Sequence, residues 1–319
     1  MTPSRIGDYA FLSDGHAPAL VSMDGSVDWW CPPRADQPPV FARLLDPHAG
    51  HWTLEVQDRR EVRRRYLPQS LVVESSITTS TGEARIRDAL AMEPGARGHE
   101  VGRRSPQVLL RSIEGTSGTV RVRCQFAPRF EFGLTSPHLR RDGDALVAEA
   151  GPMALRLRCP VALEERDSAA SAVFEVPAGD RFSFSVAHAT SHDQRPFADP
   201  DIDEALLNAE RAWASWAAAH PGYDGPRAEL ARNSALVLQG LTFKPTGAVL
   251  AAATTSLPAA IGGTDNWDYR YAWLRDLSLT SQALWIAACP DEADQYLRFL
   301  AHAAGAPAPR ARVQIMYGV

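Results

Sequence analysis

The chain has 319 residues, of which 45% are hydrophobic and 22% charged, with a formal net charge of -5 at pH 7. That length is more than one average core supports and suggests about two domains, and the apolar content excludes a disordered chain. The modest negative charge argues against nucleic acid as a partner, and no segment approaches the roughly 18 uncharged apolar residues of a membrane span.

The amino terminus, Met1 to Ala10, has no apolar stretch of signal-peptide length, so a cytoplasmic location is expected. From Asp8 to about His188 apolar residues repeat at every second position, the period of strands with one dry and one wet face. Val120, Val122, Cys124 and Phe126 alternate with Arg121, Arg123 and Gln125; Leu155, Leu157 and Cys159 with Arg156 and Arg158; Phe182, Phe184 and Val186 with Ser183 and Ser185. Asp24-Gly25 and Thr81-Gly82 stand between apolar runs, as hairpin turns require. Many such hairpins predict an antiparallel β-sandwich over residues 1–198. The five arginines between Arg59 and Arg65 share that run with Glu61 and read as a solvated strand face. Cys31, Cys124, Cys159 and Cys289 are scattered with no C-x-x-C pair, so no zinc site or disulfide framework is written in them and buried free thiols are expected.

The period becomes helical near Pro200. Asp201 stands where a cap is needed, with Glu204 three residues on, and Ile202, Leu206, Ala209, Trp213 and Trp216 fall on one stripe. This helix is expected to end at Pro221-Gly222 and, with the Pro- and Gly-rich stretch to Pro226, to form a linker over residues 199–226. Further helices are predicted at Arg227 to Phe243, Ala272 to Ala288 and Asp291 to Ala304, the last stopping at Gly305. The helix carrying Leu274, Leu277, Leu279, Leu284, Trp285 and Ile286 is apolar nearly all round and should be surrounded by partners. Val313 to Val319 is apolar too. Glu292 and Asp294 read as surface residues in the first turn of a helix, where negative charge suits the dipole.

The most informative stretch is Asn266 to Asp276, N-W-D-Y-R-Y-A-W-L-R-D, with four aromatic and four charged residues in eleven positions. In one reading Trp267, Tyr269, Tyr271 and Trp273 are core aromatics, and Asp268, Arg270, Arg275 and Asp276 form ion pairs that fix a helix start. In the other, Tyr269, Trp273 and Asp276 share one face of a helix extending back to Tyr269, with Arg275 at its edge. Such a face suits a sugar: rings cover the C–H faces of a pyranose while guanidinium and carboxylate bond its hydroxyls.

The sequence resembles glycoside hydrolase family 15, which contains glucoamylases, glucodextranases and a bacterial branch of trehalases. The resemblance covers D-Y-A-F-L-S-D at Asp8 to Asp14, A-L-V-S-M-D-G-S-V-D-W-W-C-P-P-R at Ala19 to Arg34, P-V-F-A-R-L-L-D at Pro39 to Asp46 and G-H-W at Gly50 to Trp52. It resumes in T-G-A-V-L-A-A-A-T-T-S-L-P at Thr246 to Pro258, in the Asn266 to Asp276 run and in Q-I-M-Y-G-V at Gln314 to Val319. It implies a β + α multidomain chain: the sandwich, the linker helix, and the first part of an (α/α)6 barrel over residues 227–319. It also implies that Tyr269, Trp273, Arg275 and Asp276 hold the glucosyl unit being released, the polar pair on its hydroxyls and the rings flanking it. Asp265, where members often have Arg, and Leu277, where a smaller residue is usual, depart from the pattern and bear on fine specificity.

The reaction so implied is hydrolysis of an α-glucoside with inversion. One carboxylic acid protonates the glycosidic oxygen and an opposing carboxylate activates water, without metal or organic cofactor. In the family both carboxylates lie in a continuation beyond the M-Y-G-V motif, so no catalytic residue is expected in this chain, which would be inactive alone. The alternative is a non-catalytic carbohydrate-binding or interaction module built on the sandwich. An incomplete barrel would leave an apolar patch favouring a homo-oligomer. Between trehalose and maltooligosaccharides, the opening motif and the Thr246 to Pro258 run lean towards trehalose.

Overall fold

A computed structural model of the chain describes residues 5–190, 197–220, 223–260, 262–286, 290–305 and 314–319. Its amino-terminal part contains fourteen strands among the described residues. They are β1 (Ala10–Leu12), β2 (Ala19–Val21), β3 (Ser26–Trp30), β4 (His51–Val56), β5 (Arg59–Tyr66), β6 (Val73–Thr79), β7 (Gly82–Leu90) and β8 (Val108–Ala127). They continue with β9 (His138–Asp142), β10 (Ala145–Ala150), β11 (Met153–Arg158), β12 (Glu164–Arg166), β13 (Ala169–Pro177) and β14 (Arg181–Thr190). All their ladders are antiparallel, and the Asp24-Gly25 and Thr81-Gly82 dipeptides lie at the β2–β3 and β6–β7 turns.

The 20-residue β8 organises this region by belonging to two sheets in succession. Its first half lies between β7 and β14, in the order β5-β6-β7-β8-β14-β11-β10-β9, and its second half lies between β4 and β13, in the order β1-β2-β3-β4-β8-β13-β12. The partner change falls at Gly115 to Gly118, opposite a register shift at Glu83/Ala84. A Cβ on Gly115 would stand 2.2 Å from the Pro177 carbonyl oxygen, and one on Gly118, where φ is +56°, would stand 2.1 Å from that of Thr81. Only glycine lets the neighbouring backbones approach so closely.

The core lies between the two halves. Trp52, Leu54, Val122, Cys124 and Phe126 meet Ile86, Ile113, Leu155, Leu157, Phe184 and Val186 in one buried cluster, and the Phe174 and Phe184 rings sit 6.1 Å apart between β13 and β14. The alternation read from β8 and β11 holds: Val120, Val122, Leu155 and Leu157 are buried while Arg121 and Arg123 are exposed. The expected wet face fails on β14 at Ser185, which is buried with Ala187 and with Ser112 of β8, because a helix covers that side. The basic run lies on β5 and is largely exposed, as expected of a solvated face. Cys31 and Cys124 are buried free thiols, Cys159 is only half-buried, and Cys289 lies outside the described residues.

The covering helix is α1 (Ile202–Ala219), whose first turn is capped by the Asp201 carboxylate accepting from the Glu204 amide at 2.9 Å. Its predicted stripe, Ile202, Leu206, Ala209, Trp213 and Trp216, is buried in one cluster with Val108 and Leu110 of β8 and with Leu67, Leu71 and Val72 of the β5–β6 connection. Pro221-Gly222, the expected stop, lies outside the described residues. Among the described residues no helix is long and apolar enough to cross a membrane.

Beyond α1 come α2 (Ala228–Gly240), the hairpin β15 (Thr242–Phe243) and β16 (Ala248–Val249), the hairpin β17 (Thr255–Pro258) and β18 (Asn266–Asp268), then β19 (Ala272–Trp273), α3 (Leu274–Ile286), α4 (Pro290–Ala304) and β20 (Met316–Tyr317). Two helices are shorter than expected. The α2 helix stops at Gly240, because Thr242 and Phe243 pair with Val249 and Ala248 around a turn containing Pro245 and Gly247, the latter at φ +81°. The α3 helix begins only at Leu274, because Ala272 and Trp273 pair with Tyr317 and Met316, and the Leu274 amide donates to the Ile315 carbonyl at 3.0 Å. The stop of α4 at Gly305 is as predicted, with φ +63°. The apolar patch expected on α3, a helix that needs more partners than its neighbours supply, is present: Leu284 is buried, but Leu279, Trp285 and Ile286 are 67%, 68% and 74% exposed.

The two parts are tied together. Ser13 Oγ donates to the Gly240 carbonyl at 2.6 Å, the Lys244 amide donates to that of Gly15 at 2.9 Å, and Trp29 Nε1 donates to that of Ala253 at 2.7 Å.

Candidate functional site

The Asn266 to Asp276 run divides into two halves with different surroundings. Asp268 closes β18, and its carboxylate accepts from Arg270 Nε at 2.9 Å and Nη2 at 2.7 Å. Arg270 is buried, and its Nη1 donates to the carbonyls of Ala35 at 3.2 Å and Gln37 at 2.7 Å, just after β3. Its guanidinium lies 6.0 Å from the centre of the Trp29 ring and 5.6 Å from that of Phe132. Burial pulls the Arg270 guanidinium down, and the Asp268 carboxylate more than restores it. Asp268 and Arg270 form the ion pair that the structural reading expects, but it locks the segment onto the sandwich instead of fixing a helix start, because Arg270 bonds the Ala35 and Gln37 carbonyls and α3 begins only at Leu274. Beside them burial pushes the Cys31 thiol up to about 12, so it stays protonated.

The second half faces outwards. Tyr269 is not on a helix, contrary to the shared-face expectation, because strand pairing at Ala272 and Trp273 delays the start of α3. The residues still meet. Backbone bonds from the Ala252 amide to the Tyr269 carbonyl, 2.8 Å, and from the Ala251 amide to that of Tyr271, 3.2 Å, set the loop. The Tyr269 and Trp273 rings come within 6.0 Å at 32°, and Trp273 Nε1 donates to the Asp268 carbonyl at 3.1 Å. The Arg275 guanidinium lies 5.7 Å from the Trp273 ring centre and forks onto Asp276, Nε to Oδ1 at 2.9 Å and Nη2 to Oδ2 at 3.2 Å. The Arg275 side chain is 71% exposed and that of Asp276 is half-buried. Tyr296, buried beneath, has its hydroxyl pushed well up by burial and then by the Asp276 charge. Two tilted rings beside a forked, solvent-facing ion pair can cover a sugar ring and bond its hydroxyls.

A second polar centre was missed by the sequence reading. Glu292 does sit in the first turn of α4 but is wholly buried, not on the surface, whereas Asp294 is exposed and pairs with Arg298. Glu292 Oε1 accepts from Trp216 Nε1 at 3.1 Å and from the buried Lys244 Nζ at 3.4 Å. His220, just after α1, and His99, in a 3₁₀ turn at Gly98–Glu100, complete the cluster. Burial would raise the Glu292 carboxyl, but the His220 and Lys244 charges and the Trp216 N–H hold it well below the usual carboxylate range. Burial would lower the His220 imidazole, and the Glu292 carboxylate and Trp216 carbonyl outweigh it. The signal present in the sequence was the pairing of a helix-start Glu with a Lys, two His and a Trp. Nothing in their spacing joins positions this far apart.

The antiparallel sheets followed by a short set of helices agree with the class that the comparisons give, a protein of the glycoside hydrolase kind. Residues 1–181 match the family model described as "Trehalase-like, N-terminal", and residues 225–319 match "Glycosyl hydrolases family 15". The chain belongs to the trehalase-like group of that family. Trehalase of Mycolicibacterium smegmatis is 36% identical over 338 residues, an alignment covering 98% of this chain and 50% of the relative. Trehalase of Mycobacterium tuberculosis is likewise 36% identical, covering 98% and 49%, and Trehalase 1 of Sulfolobus acidocaldarius is 30% identical, covering 91% and 47%. The chain spans about half the length of the curated relatives it matches.

Proposed function

We propose that the chain serves hydrolysis of an α-glucoside, trehalose before maltooligosaccharides, and that Tyr269, Trp273, Arg275 and Asp276 hold the glucosyl unit being released. The observation carrying this reading is the juxtaposition of those four side chains: rings 6.0 Å apart and an outward-facing guanidinium–carboxylate fork 5.7 Å from one of them. That the relatives matched are trehalases supports trehalose. In this reading residues 1–198 are a supporting sandwich, 199–226 a linker, and 227–319 the sugar-holding start of an (α/α)6 barrel. The step itself is inversion. An acid gives its proton to the glycosidic oxygen as the C1–O bond breaks, while a base takes a proton from the water whose oxygen bonds to C1. Attack on trehalose then releases one β- and one α-glucose. Neither the acid nor the base is assigned to a residue of this chain.

Saturation-transfer NMR of trehalose with the chain tests the holding residues. Transfer to the pyranose C–H protons is expected, strongest on one ring face, and it should fall sharply in Arg275→Leu and Asp276→Asn. Equal transfer in wild type and both variants would overturn the assignment.

A further inference from the structure

The buried cluster around Glu292 has the chemistry of a metal centre. His220 Nε2 and Glu292 Oε2 are both buried, neither has a hydrogen-bond partner, and they stand 3.3 Å apart without hydrogen-bond alignment. His99 Nδ1 stands 3.4 Å from Glu292 Oε1, and one ligand atom from each of His99, His220 and Glu292 lies within 4.8 Å of the others. Ligands bonded at about 2.0 to 2.1 Å to one tetrahedral ion stand about 3.4 Å from one another, so His220 Nε2 and Glu292 Oε2 are already at ligand spacing, and the half-exposed His99 ring has to swing inwards to join them. The outer nitrogens are already engaged. His220 Nδ1 is 2.7 Å from the Trp216 carbonyl, and His99 Nε2 is 3.4 Å from the Asp291 carboxylate. A carbonyl or carboxylate on the far nitrogen is the usual support of a ligating imidazole, fixing the tautomer that turns a lone pair inwards.

We propose that His99, His220 and Glu292 bind a divalent transition-metal ion, with zinc as the reference ion, at the junction of the sandwich, α1 and α4. Two imidazoles and one carboxylate are a borderline-soft donor set suited to zinc and its neighbours rather than to calcium or magnesium. Lys244 is the opposing charge. Its ammonium is 3.4 Å from Oε1, on the oxygen that Trp216 also uses, which leaves Oε2 and the two imidazoles for the ion. Asp291 adds a second carboxylate at the outer nitrogen of His99 and offsets that ammonium. The ion would cross-link three segments far apart in the chain, the 3₁₀ turn at residue 99, the end of α1 and the start of α4, so its role is to clasp the helical part to the sandwich. It takes no part in the proposed glycoside chemistry, which needs no metal.

The metal-stripped chain, dialysed against buffered zinc and then against metal-free buffer, tests this by elemental analysis and thermal unfolding. One zinc per chain is expected, with a melting temperature that rises with free zinc as for a ligand of the folded state. His99→Ala, at a half-exposed position, should fold normally yet bind zinc at least about tenfold more weakly and lose the zinc-dependent rise. Glu292→Gln should lose both while keeping its shape. Failure of the wild-type chain to retain zinc, or retention unchanged in both His99→Ala and Glu292→Gln, would overturn the proposal.

Discussion

Arg270 and Asp268 form a buried two-bond fork, Nε to Oδ1 at 2.9 Å and Nη2 to Oδ2 at 2.7 Å, while five residues on Arg275 and Asp276 repeat the same fork in the open. Burial separates their consequences. Arg270→Leu leaves the Asp268 carboxylate and the carbonyls of Ala35 and Gln37 without their donor, and breaking a buried pair on one side costs about 3 to 5 kcal/mol. Arg275→Leu removes a solvated pair and should leave the denaturant midpoint unchanged. Urea unfolding of the two variants side by side checks the division, and equal losses would show that the motif is structural throughout.

How much of this was legible in the sequence depends on the range of the interaction. The alternation of Val120, Val122, Cys124 and Phe126 and the Ile202 to Trp216 stripe are local periods, and the structure buries both sets. The cap of α1 by Asp201 is local too. The sequence could not place the start of α3, because Ala272 and Trp273 are helix-compatible residues claimed by strand partners more than forty positions away. The same holds for Ser185, buried on a face whose alternation reads as wet until α1 is laid across it. Glu292 was misread for the opposite reason: its position in the first turn of α4 was right, and its burial came from Trp216, His220 and Lys244 on other elements. In the Asn266 to Asp276 segment, Tyr269, Trp273, Arg275 and Asp276 lie next to one another although the helix expected to align them was replaced by a loop and a strand.

Trp213, buried in the interface between α1 and the sheet, has a large volume to lose. Trp213→Ala should cost about 3 to 5 kcal/mol, a large fraction of what holds an ordinary domain folded. Hydrogen exchange of the variant should show protection lost first in α1 and in Val108 to Leu110, the strand segment it covers. Uniform loss over the whole sandwich would mean that α1 and the sheets unfold as one unit.

His51 gives the fold an acid-side weakness. Burial, assisted by the Arg43 guanidinium, pushes its imidazole down to about 4, against about 6.5 for an exposed histidine. Between those values the unfolded chain takes up a proton that the folded chain refuses, so this contribution to stability is intact above pH 6.5 and is lost as the pH falls towards 4. The loss is at most about 3.5 kcal/mol, at about 1.4 kcal/mol for each pH unit separating the two states. Denaturant midpoints measured from pH 7 to pH 4 should fall less steeply in His51→Gln than in wild type. Parallel curves would show that other groups carry the acid sensitivity.

The exposed side of α3 should make the chain associate. Leu279, Trp285 and Ile286 stand largely in solvent on one helix, with Leu230, Val237 and Leu297 exposed on α2 and α4. Large apolar side chains exposed on three neighbouring helices favour self-association. Light scattering should show an average mass rising with concentration, and Trp285→Ser with Ile286→Ser should suppress the rise without lowering the melting temperature, because neither side chain is buried. A concentration-independent monomer in wild type would count against it.

Arg275 and Asp276 should govern turnover and affinity together. Holding a glucosyl unit does not replace an acid and a base, each of which typically contributes about 10²- to 10⁴-fold. When the chain is joined to the second half of the relatives' length and hydrolysis can be followed, Asp276→Asn keeps the shape of the side chain but removes its charge. Arg275→Leu removes the donor fork. As the ring flattens and charge develops at C1, charge-assisted bonds to its hydroxyls strengthen, so their loss lowers kcat as well as raising KM. Each variant should lose about ten- to a hundredfold in kcat/KM, the usual worth of a hydrogen bond to a charged group. Thermal unfolding recorded alongside decides between the two readings of the motif. A loss of kcat/KM at constant melting temperature assigns the pair to the sugar, whereas activity lost in proportion to stability would make Arg275 and Asp276 a second structural fork like that of Arg270 and Asp268.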